Sequence, residues 1–254
     1  MKLRKRLIAT TVMLVFLSTT ALMAQEKAAM LSVGYTSQLD TYLSPEHYSG
    51  MDVRFIHNSI ITHRGWGSHH EFTHQAEISS TRPRSKDATL LSGMYSFSFS
   101  LYKTYLLDWG FFLSVGGTVE FFLGGNYNTR NGNNPAQLHT GINISPTVKV
   151  DYPVNLWNKT FWVTYKGVFP LVGTQFSPAY GQSYYEIFSQ GNYDHNICLT
   201  HPFNALSYTH QLTIDIPIHD KAIRVGYIGD YRQAKLNDLK YHNFTNGFVI
   251  GYVY

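Results

Sequence analysis

His70-Glu71-Phe72-Thr73-His74 has the spacing of the H-E-x-x-H zinc-protease pattern. That pattern works on a helix, where residues four apart share a face, two imidazoles hold the metal and the glutamate activates a water. On a strand, successive side chains alternate. Both histidines then point one way and Glu71 the other, and the catalytic geometry fails. Five of the 12 histidines, His57, His63, His69, His70 and His74, fall within 18 residues. A hairpin turning near Gly65-Trp66 sets His57 opposite His74. Imidazole suits zinc, copper or nickel, so these two are the metal candidates. No metal site or cofactor is otherwise expected.

A second concentration of chemistry lies at 175–204. Tyr184, Tyr185, Glu186, Asn192, Tyr193, Asp194 and His195 are the ligand-binding candidates. Their rings can stack on sugars, and their polar groups can hydrogen-bond glycans or lipid headgroups. Glu186, Asp194 and His195 could also supply acid–base chemistry. A connection of this length is functional or packs on itself, so a lid over a lumen is the alternative. A Ser183–His195–Asp194 triad gains nothing from adjacency on a loop, since triads are recognised by geometry. Catalytic residues stay unassigned.

The elements that carry these residues show a period of two. Leu206, Tyr208, Leu212, Ile214 and Ile216 alternate with Ser207, Thr209, Gln211, Thr213 and Asp215, with His210 the exception on the apolar side. Leu91, Tyr95, Phe97, Phe99 and Leu101 alternate with Ser92, Ser96, Ser98 and Ser100. Such alternation marks strands with two unlike faces. It predicts strands at 29–38, 51–62, 69–81, 89–102, 111–125, 137–151, 160–174, 205–217, 222–233 and 240–254. The long connections 39–50, 126–136 and 175–204 all emerge at one end. A hairpin of 184–188 with 197–200 would raise the count to twelve.

Only 14% of the 254 residues are charged and 15% are aromatic, against about 25% charged in a typical soluble domain. Asp52, Arg54, Glu71, Glu77, Glu120, Lys149, Asp151, Lys166, Asp215, Arg224, Asp230 and Arg232 all fall on the polar face. Mixed signs in a narrow lumen should pair and fill it. Tyr and Phe crowd the other face, as interfacial girdles require. The chain ends on a strand with Phe248, Ile250, Tyr252 and Tyr254 on one side, like the signal read by the outer-membrane assembly machinery. The expected fold is an all-β, closed antiparallel up-and-down transmembrane β-barrel of about ten strands. Closure requires the first strand to pair with the last, because an open edge in lipid leaves unpaired amides.

Residues 1–24 read as a cleaved signal peptide: Lys2, Arg4, Lys5 and Arg6, then an apolar run at 7–17 too short to span a bilayer, then small residues up to Ala24. The barrel domain is then 25–254. The net charge of +4 comes from that start, and the remaining 16 bases balance 16 acids. This argues against nucleic acid as a partner. A lone Cys198 excludes an internal disulfide.

Three stretches carry a family resemblance: 128–137 (Asn128-Thr129-Arg130-Asn131-Gly132-Asn133-Asn134-Pro135-Ala136-Gln137), the long loop through Asn192-Tyr193-Asp194-His195-Asn196, and 235–242 (Lys235-Leu236-Asn237-Asp238-Leu239-Lys240-Tyr241-His242). Over nearly all of the mature chain the sequence resembles an uncharacterised domain-of-unknown-function family of outer-membrane barrels from Bacteroidota. The resemblance implies the barrel fold and an outer-membrane location after export. It brings no activity and no catalytic residue. The functional expectation is a structural or ligand-binding barrel with a plugged polar lumen and its chemistry at external loops. A rim hydrolase and a small passive channel are the alternatives.

Overall fold

The computed structural model describes residues 24–63, 67–132 and 134–254. The expected signal peptide lies outside these residues, except Ala24. Twelve strands form one sheet: β1 (Ala24–Asp40), β2 (Ser44–His63), β3 (Ser68–Pro83), β4 (Leu90–Leu106), β5 (Phe112–Asn128), β6 (Ala136–Leu156), β7 (Lys159–Val168), β8 (Val172–Phe176), β9 (Ile197–Thr200), β10 (Tyr208–Ile218), β11 (Lys221–Leu236) and β12 (Leu239–Val253). Each long strand pairs antiparallel with its sequence neighbour. β10 closes on β7, and β1 closes on β12 from Ala28↔Val253 to Asp40↔Tyr241. The ten long strands thereby close on themselves, as a lipid-embedded sheet requires, with an interruption in the wall where β7 gives way to β8.

The short β8 continues β7 along β6, and β9 pairs with β8 above the start of β10. The wall is therefore ten strands around, as the alternation predicts, and the two extra segments lengthen it. The 184–188 stretch is a helix, α1 (Tyr184–Phe188), rather than the arm of a hairpin. The expected long connection at 39–50 is a correction too: β1 runs on to Asp40 and β2 begins at Ser44, so only three residues turn. Backbone pairing persists there after the apolar side chains that reveal a strand have given way to polar ones.

The faces are inverted relative to a soluble domain. Outward side chains are apolar and bare, with Met51 62%, Ile78 67% and Phe248 80% exposed. Inward ones are polar and enclosed, including Ser32, Thr36, Arg54, Thr81 and Ser100. All twelve charges assigned to the polar face by parity turn inward. In water this arrangement would forfeit the hydrophobic effect and carry the cost of burying charge. In lipid it is the stable one.

Connections at 107–111, 157–158 and 219–220 lie at the end that carries Ala24 and Tyr254, and 41–43, 84–89, 129–135, 177–196 and 237–238 at the other. The tight turns use backbone with φ above zero. Asn237 (φ 49) and Asp238 (φ 62) suit a two-residue hairpin. Trp157 (φ 51) and Trp109 (φ 69) adopt it despite their bulk, with their rings 80% and 89% exposed. At the closing seam Gly34 faces Gly247, and a Cβ on Gly34 would lie 2.3 Å from the Asn246 carbonyl oxygen.

Candidate functional site

The lumen is built in tiers of paired charges. Nearest the end with Ala24 and Tyr254, Arg224 makes a two-pronged contact with Asp215 (2.6 and 2.7 Å), and Lys166 meets Glu71 at 3.0 Å, with Asn58 also donating to Glu71. Midway, Arg54 is wholly buried and binds Asp52 (2.7 Å), Asp230 (2.6 Å) and Glu77 (3.1 Å). Arg232 joins Asp230 to Glu120. Above them, Asp40 accepts from Asn126 (2.8 Å), and its carboxylate lies 3.0 Å from His139 Nε2. The His139 ring lies 4.1 Å from that of Tyr241. Its Nδ1 has no hydrogen-bond partner among the described residues.

Asp40 and His139 are missing from the sequence-derived site, although the signal was present. Ser32, Thr36, Gln38 and Asp40 keep one parity, and all are buried. Asp40 is the continuation of a strand past its expected end. Asp40 and His139 border a small cavity beneath the lid, and His139 also borders a second one that opens toward Arg232 and Glu120.

The 177–196 segment packs on itself and ties down at separate points of the rim. Ser183 and Glu186 form a reciprocal capping box that starts α1, and Ile187 is fully buried. The Ser183 amide and hydroxyl hold the Glu186 carboxyl below the usual carboxylate range. Tyr42, from the β1–β2 turn, donates to the Gln182 carbonyl (3.1 Å) and meets the Tyr184 ring edge-on. Tyr184 donates to Gln137 (2.9 Å) and accepts from the Leu138 amide (2.6 Å) on β6. Burial pushes both tyrosine hydroxyls up. Asn237, from the β11–β12 turn, donates to the carbonyls of Ser177, Pro178 and His195. Three sides of the mouth are thus joined through one segment.

The ligand-binding candidates separate into two groups. Tyr184 and Glu186 are structural parts of the lid, and the Asn192 backbone oxygen holds Gln182. Tyr185 and Tyr193 are exposed, as are Asp194 and His195, whose side chains pair at 2.8 Å. Ser183 is occupied by its cap, so the imagined triad is not assembled. His57 and His74 do lie opposite each other on the outer wall, rings 6.4 Å apart, and His74 bonds the Tyr95 hydroxyl at 2.7 Å. No cluster of three or more metal-ligating side chains occurs among the described residues. Glu71 points inward, away from His70 and His74, as the strand reading requires.

A closed wall with apolar residues outside and paired charges inside defines a transmembrane-type β-barrel. Residues 13–254 match the model of a family described as protein of unknown function (DUF3316), and the chain belongs to that family. No curated protein matches it. Solved structures similar to it include the transport unit of the autotransporter AIDA-I from Escherichia coli (10% identity, 92% of each chain, TM-score 0.47). The β domain of the Bordetella autotransporter BrkA is also similar (11% identity, 91% of this chain and 99% of that one, TM-score 0.42). So is the outer membrane protease OmpT from Escherichia coli (8% identity, 92% and 97%, TM-score 0.41).

Proposed function

We propose that the chain is exported by residues 1–24 and that 25–254 folds in the outer membrane as a lidded, non-conducting barrel, structural or ligand-binding in role. Its surface partners are membrane lipid and, at the far rim, a glycan or lipid headgroup. The C-terminal strand, ending on Tyr254, is its handle for the assembly machinery. The observation behind this reading is the buried Arg54 with its three carboxylates, below a segment fastened to three sides of the mouth. Ordered opposite charges fill space that a water-filled pore would need.

Exposed Tyr185, Tyr193, Asp194 and His195 form the rim contact. Planar-bilayer recording of the folded protein tests the reading and should show no conductance steps. Steady single-channel steps, abolished when the protein is boiled, would refute it and support the channel alternative. The hydrolase alternative has the Asp194–His195 contact in its favour. Loss of a lipid-, glycan- or peptide-cleaving activity in Asp194→Asn and His195→Gln variants that still fold would establish it.

A further inference from the structure

The barrel wall is interrupted at one seam. β7 and β10 stay paired up to Val168↔Thr209, and β8 and β9 resume at Gly173↔Thr200. Among the described residues no strand pairing joins 169–172 to 201–208. The gap is built rather than frayed. On one side Phe169 and Leu171 donate to the Pro146 and Ile144 carbonyls of β6, and Pro170 between them has no amide hydrogen to offer across the gap. On the other, the amides of His201, Phe203, Asn204 and Ala205 are satisfied by Asn204 Oδ1, His201 Nδ1 and the His201 carbonyl. Irregular backbone in a membrane wall persists only where its polar groups are met in this way.

The gap leads inside. Leu171 and Val172, both exposed on the outer wall, line one cavity together with Phe122, Glu120, Arg232 and Tyr241 of the lumen. A second space of about 700 Å³, including its mouth, lies beyond Arg232 and Glu120 and shares Pro170 and Thr209. Two strong donors there are spent on weak acceptors: Arg232 Nη1 on the Met94 sulfur (2.9 Å) and Gln211 Nε2 on the Met30 sulfur (3.5 Å). An oxygen acceptor would displace either thioether. The outer lips are apolar, with Phe203 97% and Leu206 47% exposed.

We propose that this interruption is a lateral port, through which a neutral single-chain amphiphile with a carbonyl-type head enters the lumen from the surrounding lipid. Its oxygen accepts from Arg232 and Gln211, and its chain leaves between Leu171 and Ala205. The head is neutral because the charges around these spaces are already paired, Arg232 with Asp230 and Glu120 and Lys166 with Glu71, while Arg232 Nη1 and Gln211 Nε2 hold only thioether acceptors that a carbonyl oxygen can replace. This port rests on the membrane reading above.

The test uses the folded protein in phosphatidylcholine nanodiscs doped with a monoacylglycerol that carries one diazirine near its carbonyl, to report the lumen, and one near its chain end, to report the outer wall. After irradiation, adducts are mapped by mass spectrometry. Lumen adducts on Met94, Phe122 or Tyr241 are expected beside those on outward Phe55 and Ile78. Ala205→Trp should lower the lumen adducts at least tenfold and leave the outer ones. Should that variant not fold, Leu171→Trp at the exposed lip takes its place. Adducts confined to the outer wall, or lumen adducts indifferent to both variants, would overturn the port. Equal lumen labelling by the corresponding fatty-acid anion would overturn the neutral head. Absence of outer adducts as well would sink the membrane reading itself.

Discussion

Replacing Arg54 with methionine keeps most of the side-chain volume and removes the charge. Arg54 has no exposed surface, and its guanidinium is within 3.1 Å of Asp52, Asp230 and Glu77. Arg232 reaches Asp230 at 3.2 Å but makes no ion pair with Asp52 or Glu77. The variant thus strands two carboxylates in the lumen. Breaking a buried ion pair by removing one partner costs about 3–5 kcal/mol, a factor of roughly a hundred to several thousand in the folding equilibrium. The assay is the faster-migrating band of the unboiled, folded barrel on a denaturing gel, followed through a urea series. Arg54→Met should lose that band at clearly lower urea. Adding Asp52→Asn and Glu77→Gln removes the stranded charges and should restore more than half of the loss. A single variant with the midpoint of the parent protein would refute the reasoning, because it would mean that water already reaches these groups.

Three further outcomes follow from the lid and the seam. Ser183→Ala deletes the cap of α1, worth about 0.5–2 kcal/mol, and should speed proteolytic cleavage within 177–196 without changing the barrel's gel mobility. Glu186 is held below its unfolded carboxyl value, so its support of the lid is complete above that value, about pH 4.3, and is lost as pH falls through the depressed one. Amide protection at 184–190, taken relative to the intrinsic exchange rate at each pH, should therefore fall in acid while protection in β1 and β12 does not. Gly34→Val places a side chain against the Asn246 carbonyl at the closing seam and should reduce the yield of closed barrel, read as the fast-migrating fraction.

Parity along the strands was enough to place Arg54, Glu77, Asp230 and the other inward charges, because a closed wall gives every second residue the same surroundings. It could not tell which charge meets which, since those contacts cross the lumen between strands far apart in sequence, as between Arg54 and Asp230. Strand ends were less legible for a different reason. Alternation is visible only while one face is greasy, whereas β1 keeps its backbone pairing through Gln38 and Asp40. The sequence allows a hairpin arm where α1 stands, because the five residues Tyr184–Phe188 are too few to display a helical period. The break at Pro170 was hidden because 160–174 reads as one continuous strand, and the return through 201–207 has no pattern of its own. Asp194 and His195 lie exposed in the connection that holds the sequence-derived ligand-binding candidates, while Tyr184 owes its place to packing against Tyr42 that adjacency in sequence does not reveal.

Trp109 and Trp157 project from turns at the end of the barrel that carries Ala24 and Tyr254, and Trp162 follows one strand residue group later on the same rim. Their emission therefore samples a single leaflet. Bromine-labelled lipids placed at stepped distances along the acyl chain would read how deep that rim sits, while opening of the opposite mouth would leave the signal silent. Emission from these three tryptophans reports one end of the cylinder, and the lid needs a reporter of its own.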